Sequence, residues 1–309
     1  MKKNIISMAG FLILVAAVRP DLSWGQIGFG PGQSMDPGDV LREARAGNAP
    51  GAPRMILAGY VTGNDPSAGK PGQAVEWVAV GGGKFTMGTD NGDSDAKPIH
   101  EVTVPTFEMS KTLVTVEQYS ECVIKGKCSE PYTGYDYCNW GKSGRQKYPV
   151  NCVTWGQAKD FAAFKRARLP SESEWEYAAT SGGKNQKYPW GNEDASCDKA
   201  VMYGNGGYGC GSNGTMPVCS KPAGNAKVSG GELCDMVGNV WQWVEDTWQD
   251  SYANAPTDGS AVESGSARVA RGGSFFTEGA GALRADFRLY DVSGFRYDDF
   301  GFRLARSSR

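Results

Sequence analysis

The residues able to do chemistry are few and unevenly spread. Eight cysteines, Cys122, Cys128, Cys138, Cys152, Cys197, Cys210, Cys219 and Cys234, all fall in the middle of a 309-residue chain. Histidine occurs once, as His100. A thiolate is a nucleophile, a redox centre and a soft metal ligand. The chain could therefore be a redox enzyme, a zinc protein or a disulfide scaffold. Four-cysteine zinc sites use paired C-x-x-C spacing, and no such pair occurs here. One histidine all but excludes a His-based metal centre or a His-centred triad. An even cysteine number in an exported chain reads as a disulfide framework. The bet is that Cys122 to Cys152 pair among themselves and Cys197 to Cys234 likewise, with the connectivity open.

Export is itself a reading of the first residues. Lys2 and Lys3 precede an apolar run from Met8 to Val18, and Ser23 and Gly25 are small residues at −3 and −1 to a cut before Gln26. That is the grammar of a signal peptide over residues 1–25, and the run is too short to span a bilayer. An uncleaved anchor is the alternative. No later apolar run is long enough for a membrane helix. The expected location is the periplasm, the cell surface or the medium. The formal net charge of −2 argues against a nucleic-acid partner.

The elements that must position these residues follow. Residues 26–74 are Gly/Pro-rich with few apolar residues and read as a tether; one short helix fits "PGDVLREARAG", capped by Asp39 and stopped by Gly47. A folded domain is expected over residues 75–309. It opens with "VEWVAVGGGKFTMGT", which alternates apolar and polar residues around a glycine turn. "HEVTVPTFEMSKTLVT" reads as a strand pair. "VTVEQYSECVIKG" puts Val116, Tyr119, Cys122 and Val123 on one helical face. "VTWGQAKDFAAFKRARLP" repeats that pattern with Trp155, Ala158, Phe161, Ala162 and Lys165. "SESEWEYAAT" opens with a capping box, Ser171 with Glu174. After Thr180 the chain is Gly-rich and irregular for a long way, and its cysteines and aromatics suggest an ordered, cross-linked region.

Several stretches, in order, carry a resemblance: "GGGKFTMGTD", "YPVNCVTWGQAKDFAAF", "RLPSESEWEYAA", "YPWGN", "CDMVGNVWQWVED", "RVARGGSFF" and "GFRLARS". The chain resembles the formylglycine-generating enzyme, or sulfatase-modifying factor, family from about Val75 to Ser307. The resemblance implies an α+β fold: an irregular C-type-lectin-like domain of low regular secondary-structure content. Oxidase members of that family bind copper through two cysteines shortly after "GGS". The matching positions here are Thr277 and Ala282, and no cysteine follows Cys234. Without a thiolate there is no soft Cu(I) ligand there. Another branch uses a histidine-rich iron site, which one histidine cannot build. The resemblance thus implies the fold without the oxidase chemistry. No catalytic residue and no required cofactor are expected.

Family members can also bind calcium around the "GN-W-W" loop. The matching residues are Asp235, Gly238, Val240 and Gln242, with Gln242 standing where a Glu is usual. A neutral carbonyl there weakens the site. A structural calcium and a packed turn held by Trp241 and Trp243 both remain open. "DNGDSDAK" (Asp90, Asp93, Asp95) lacks the Glu that ends an EF-hand loop and reads as a solvated loop.

The C-terminal segment is aromatic and without period, pinned between "RGGS" and "GFRL". In one set of proteins with this lectin-like fold, the variable proteins of diversity-generating retroelements, the corresponding segment is a recognition surface diversified by mutagenesis at adenines of a template repeat, commonly at Asn codons. Residues 286–300, "DFRLYDVSGFRYDDF", contain only types reachable by altering the first two bases of an AAC or AAT codon. Tyr and Phe offer contact area at low entropic cost, and Asp, Ser and Gly add adaptable polar contacts. A recognition segment over residues 275–300 is therefore expected. Its candidate ligand-binding residues are Phe276, Thr277, Asp286, Phe287, Leu289, Tyr290, Asp291, Phe295, Tyr297, Asp298, Asp299 and Phe300. Phe275 and Phe302 are assigned to the core. The implied function is an exported, non-catalytic protein that binds a protein or other surface ligand. The alternative is an enzyme of the same family with altered chemistry.

Overall fold

The computed structural model describes residues 73–308. The expected signal peptide, the short helix at Asp39 and nearly all of the expected tether lie outside those residues.

Three helices form where the sequence supplies both a cap and an apolar face. They are α1 (Val116–Ile124), α2 (Trp155–Phe164) and α3 (Glu172–Ala179). Each has a complete capping box: Thr115 with Gln118, Thr154 with Gln157, and Ser171 with Glu174. Two orphan N–H groups per helix are thereby satisfied by side chains. α1 buries Val116, Tyr119 and Cys122; α2 buries Ala158, Phe161 and Ala162. α3 differs, because all of its residues are buried, its three glutamates included.

Eleven short strands accompany the helices among the described residues: β1 (Trp77–Val80), β2 (Gly83–Met87), β3 (His100–Val104), β4 (Phe107–Ser110), β5 (Ala226–Val228), β6 (Gly231–Leu233), β7 (Trp241–Thr247), β8 (Ala267–Arg271), β9 (Arg288–Val292), β10 (Phe300–Phe302) and β11 (Ala305–Ser307). The two strands of "HEVTVPTFEMSKTLVT", β3 and β4, do not pair with each other as expected. β2 pairs with β3, while β4 pairs with β1 and β11 in the order β1-β4-β11. Local alternation placed these strands, but only non-local packing chose their partners. The sheet that carries the C-terminal segment has the order β10-β7-β8-β9, with β10 parallel to β7. Two apolar cores flank this framework. One includes Trp175, Val244 and Val269; the other includes Tyr119, Phe161, Trp243 and Phe302. Few helices, several small sheets and long ordered loops make the irregular α+β fold anticipated above.

The cysteines close four disulfides, Cys122–Cys128, Cys138–Cys152, Cys197–Cys210 and Cys219–Cys234. Each bond stays within the half of the set expected from the spacing. The last two tie down the irregular region after Thr180. No described cysteine is free.

Candidate recognition surface

The recognition segment is built on three supports. β8 runs into a turn at Gly273, where φ is +73° and a Cβ would come within 2.5 Å of Leu283 Cδ2 and 3.1 Å of Thr277 Oγ1. Only glycine fits a positive φ with so close a neighbour. β9 then lies at the edge of the sheet beside β8. After β9 the chain crosses above the β7 end and returns as β10.

The crossing loop is held by its own carbonyls. Ser293 O accepts Trp155 N–H at 3.2 Å, Tyr297 O accepts Cys152 N–H at 3.1 Å and Asp299 O accepts Trp241 N–H at 2.7 Å. The Asn151 side-chain amide donates to Asp298 O. All four donors sit outside the segment. Its backbone path is therefore fixed by groups that do not depend on its own side chains.

Those side chains point outward where the pins are densest. Tyr290 is 50% exposed, Phe295 41% and Tyr297 37%. Phe295 and Tyr297 stack with ring centroids 5.2 Å apart, and Tyr290 lies 4.4 Å from the Trp248 ring. Asp291, Asp298 and Asp299 are half-buried between them. Burial raises all three carboxyls above the usual range, Asp299 to about 6; the neighbouring Asp298 adds to that rise, while a hydrogen bond from Ser274 Oγ at 2.9 Å opposes it.

A second loop, not foreseen from the sequence, completes this face. Tyr135 lies 6.3 Å from Tyr297, Tyr132 lies 5.2 Å from Tyr135, and the Arg296 guanidinium sits 4.8 Å above the Tyr132 ring. The exposed tyrosines of "PYTGYDYC", just before Cys138, were the available signal. Phe276 is half-buried in a neighbouring group, 4.7 Å from Tyr208 and 5.4 Å from Tyr137.

Several expected surface residues are framework instead. Phe300 is 4% exposed and packs 4.8 Å from Trp243. Thr277 is buried, and its hydroxyl accepts the Ser274 N–H at 2.9 Å, closing a local turn. Asp286 is engaged by the Arg284 guanidinium. Phe287 leans on Trp241 at 6.0 Å, and Leu289 packs against the second core. Arg288, inside the same stretch, is buried against Glu172, with Nε–Oε1 at 2.7 Å and Nη2–Oε2 at 3.0 Å. The outward part of the segment is therefore residues 290–299.

The buried ion pairs were also missed. Glu172, Glu176, Arg271 and Arg288 form one cluster beneath β8 and β9. Burial opposes the Glu172 charge, but Arg288 and Arg271 more than offset it and hold its carboxyl below the ordinary range. A cavity of about 270 Å³ adjoins this cluster, lined by Asp246, Tyr252 and Arg288 among others. Asp246 accepts the N–H groups of Glu172 at 2.6 Å and Val262 at 2.9 Å, so both of its oxygens are used.

The residues matched to a calcium site do not fit a cation. Gln242 Oε1 accepts Trp175 Nε1 at 3.0 Å and Arg303 Nε at 2.6 Å, and its Nε2 donates to Asp235 O and Met236 O. Arg303 Nη2 also donates to Asp235 O at 2.9 Å and Cys234 O at 2.6 Å. Asp235 Oδ2 accepts Cys219 N–H, and Gly238 O accepts Val240 N–H. Gln242 Oε1, Asp235 Oδ2 and the carbonyls of Asp235 and Gly238 are thus already engaged, and the Arg303 guanidinium lies among them.

A family model of the sulfatase-modifying factor enzyme 1-like domain matches residues 64–308. The chain belongs to this family. Its relatives include a serine/threonine-protein kinase, Pkn1, of Chlamydia trachomatis, 33% identical over 75% of this chain but only 38% of the kinase. The chain thus spans well under half of that kinase. The inactive C-alpha-formylglycine-generating enzyme 2 of Bos taurus is 29% identical over 76% of this chain and 89% of its own length. Among solved structures, PvdO from Pseudomonas aeruginosa is 30% identical with a TM-score of 0.64, covering 77% of this chain and 99% of PvdO. Variable protein 1 of Treponema denticola shares the fold, with a TM-score of 0.58 and 23% identity, over 75% of this chain and 95% of that one.

Proposed function

We propose that the chain is an exported, non-catalytic binding protein whose C-terminal surface, residues 290–299 with Tyr132 and Tyr135, contacts a protein or other surface ligand. One observation carries this reading. The loop backbone is pinned through carbonyls by donors outside it, while its aromatic side chains stand in solvent. Such a loop can change its side chains without losing its path, which is what a diversified surface requires. The amphipathic rings provide rigid contact area. Disulfides belong to oxidising compartments, which supports export. The cysteine positions of the oxidase members hold Thr277 and Ala282, and a family relative is itself named inactive. The fold shared with a variable protein supports diversification of this segment by a retroelement.

Deep sequencing of the gene across a population of its source tests the diversification. Substitutions concentrated at the first two bases of the codons for residues 290–299, with the codons for Arg288, Phe300 and Phe302 constant, are expected. Substitutions spread evenly along the gene would remove the diversification reading.

A further inference from the structure

A different face of the molecule carries a cavity of about 630 Å³ whose charge is unbalanced. It lies between β2, the end of α3 and the turn at 184–192. Among its charged lining residues, Arg284 is neutralised by Asp286, and Glu176 is neutralised by Arg271. Lys184 and Lys187 remain. Both are exposed at the mouth, and neither takes part in an ion pair among the described residues. The turn that carries them is preformed: Lys184 N–H donates to Thr180 O, Lys187 N–H donates to Asn192 Oδ1 at 2.9 Å, and Lys187 O accepts Ala285 N–H. The remaining lining includes the hydroxyls of Thr86 and Thr89 and the amides of Asn91 and Asn185.

We propose that this cavity is a binding site for a small polyhydroxylated anion, a sugar phosphate or sugar acid. A lysine ammonium is a point-charge partner for phosphate or carboxylate. Side-chain amides and threonine hydroxyls offer both donors and acceptors to ligand hydroxyls. The volume lies within the usual range for small-ligand sites. Glu176 at the floor is ion-paired with the buried Arg271, so the floor adds little net negative charge against an anion. The site is separate from the recognition surface and does not rest on it.

Isothermal titration of the full chain at low ionic strength tests the proposal, with glucose 6-phosphate, glucuronate, inorganic phosphate and neutral glucose as probes. Saturable binding of glucose 6-phosphate or glucuronate, tighter than either phosphate or glucose, is expected; which of the two binds tells phosphate from carboxylate. The double variant Lys184→Ala/Lys187→Ala should weaken that binding by about tenfold or more, as expected for lost charge-assisted hydrogen bonds. The charge-matched control Lys127→Ala/Lys147→Ala should leave it unchanged. Glucose binding as tightly as the anions, no binding of either sugar anion at millimolar concentration, or equal losses in the two lysine double variants would overturn the site.

Discussion

Arg303 holds a positive charge where the sequence had left room for calcium. Its guanidinium is fully buried and bonded to the Gln242 side chain and to the carbonyls of Ser110, Cys234 and Asp235. Adding millimolar calcium, or removing divalent ions with a chelator, should therefore leave the melting temperature unchanged. A calcium-dependent rise would show that the donor set can rearrange around an ion. Arg303→Ala should destabilise, because the buried carbonyls of Ser110, Cys234 and Asp235 lose a donor, at about 1–3 kcal/mol for each left unsatisfied. Asp299 makes a second residue-scale prediction. Its folded pKa of about 6 lies above the ordinary carboxylate value, so the folded chain holds this proton more tightly than the unfolded chain. Its contribution is fully present below the unfolded pKa and is lost as pH rises through the folded value. The melting-temperature difference between the native chain and Asp299→Asn should thus shift against the native chain from about pH 4 to about pH 7. A difference that stays flat would place Asp299 in open solvent.

At the scale of elements, the Cys138–Cys152 disulfide anchors the C-terminal end of the segment that carries Tyr132 and Tyr135 toward the candidate recognition face. Its sequence separation is 14, and opening a loop of that length costs roughly 3 kcal/mol. Replacing both cysteines by serine should lower stability by about that amount in denaturant melts. A loss near zero would mean that packing alone holds the loop. The helices were legible because capping boxes and apolar spacing are local signals, as at Ser171 and Glu174. Strand partners were not, because β4 chooses β1 and β11 through contacts distant in sequence. Phe300 was read as surface for a related reason. The stretch holding it has no period, and only the Trp243 ring reveals it as framework. Tyr132 and Tyr135 were passed over because their partner, Tyr297, lies far along the chain.

For the whole molecule, the proposed function makes the family fold a scaffold and its last crossing loop a variable surface. A scaffold without the oxidase cysteines should be catalytically silent. Loaded with Cu(I) and offered a sulfatase-type cysteine peptide and oxygen, the purified chain should yield no formylglycine by mass spectrometry. Metal-dependent turnover would replace binding with catalysis. The most direct test of the central claim is a thermal melt, followed by circular dichroism, of two variants side by side. Tyr290, Tyr297 and Asp298 are changed together to Ala in one, and Phe302→Ala is made in the other. Surface substitutions usually shift stability by no more than about 0.5 kcal/mol each, whereas emptying a buried Phe site costs about 3–5 kcal/mol. The account predicts that the triple variant melts close to the native chain and loses a partner selected on the native surface, while Phe302→Ala melts far lower. A triple variant that unfolds as readily as Phe302→Ala would show that the crossing loop is core and contradict its role as a recognition surface.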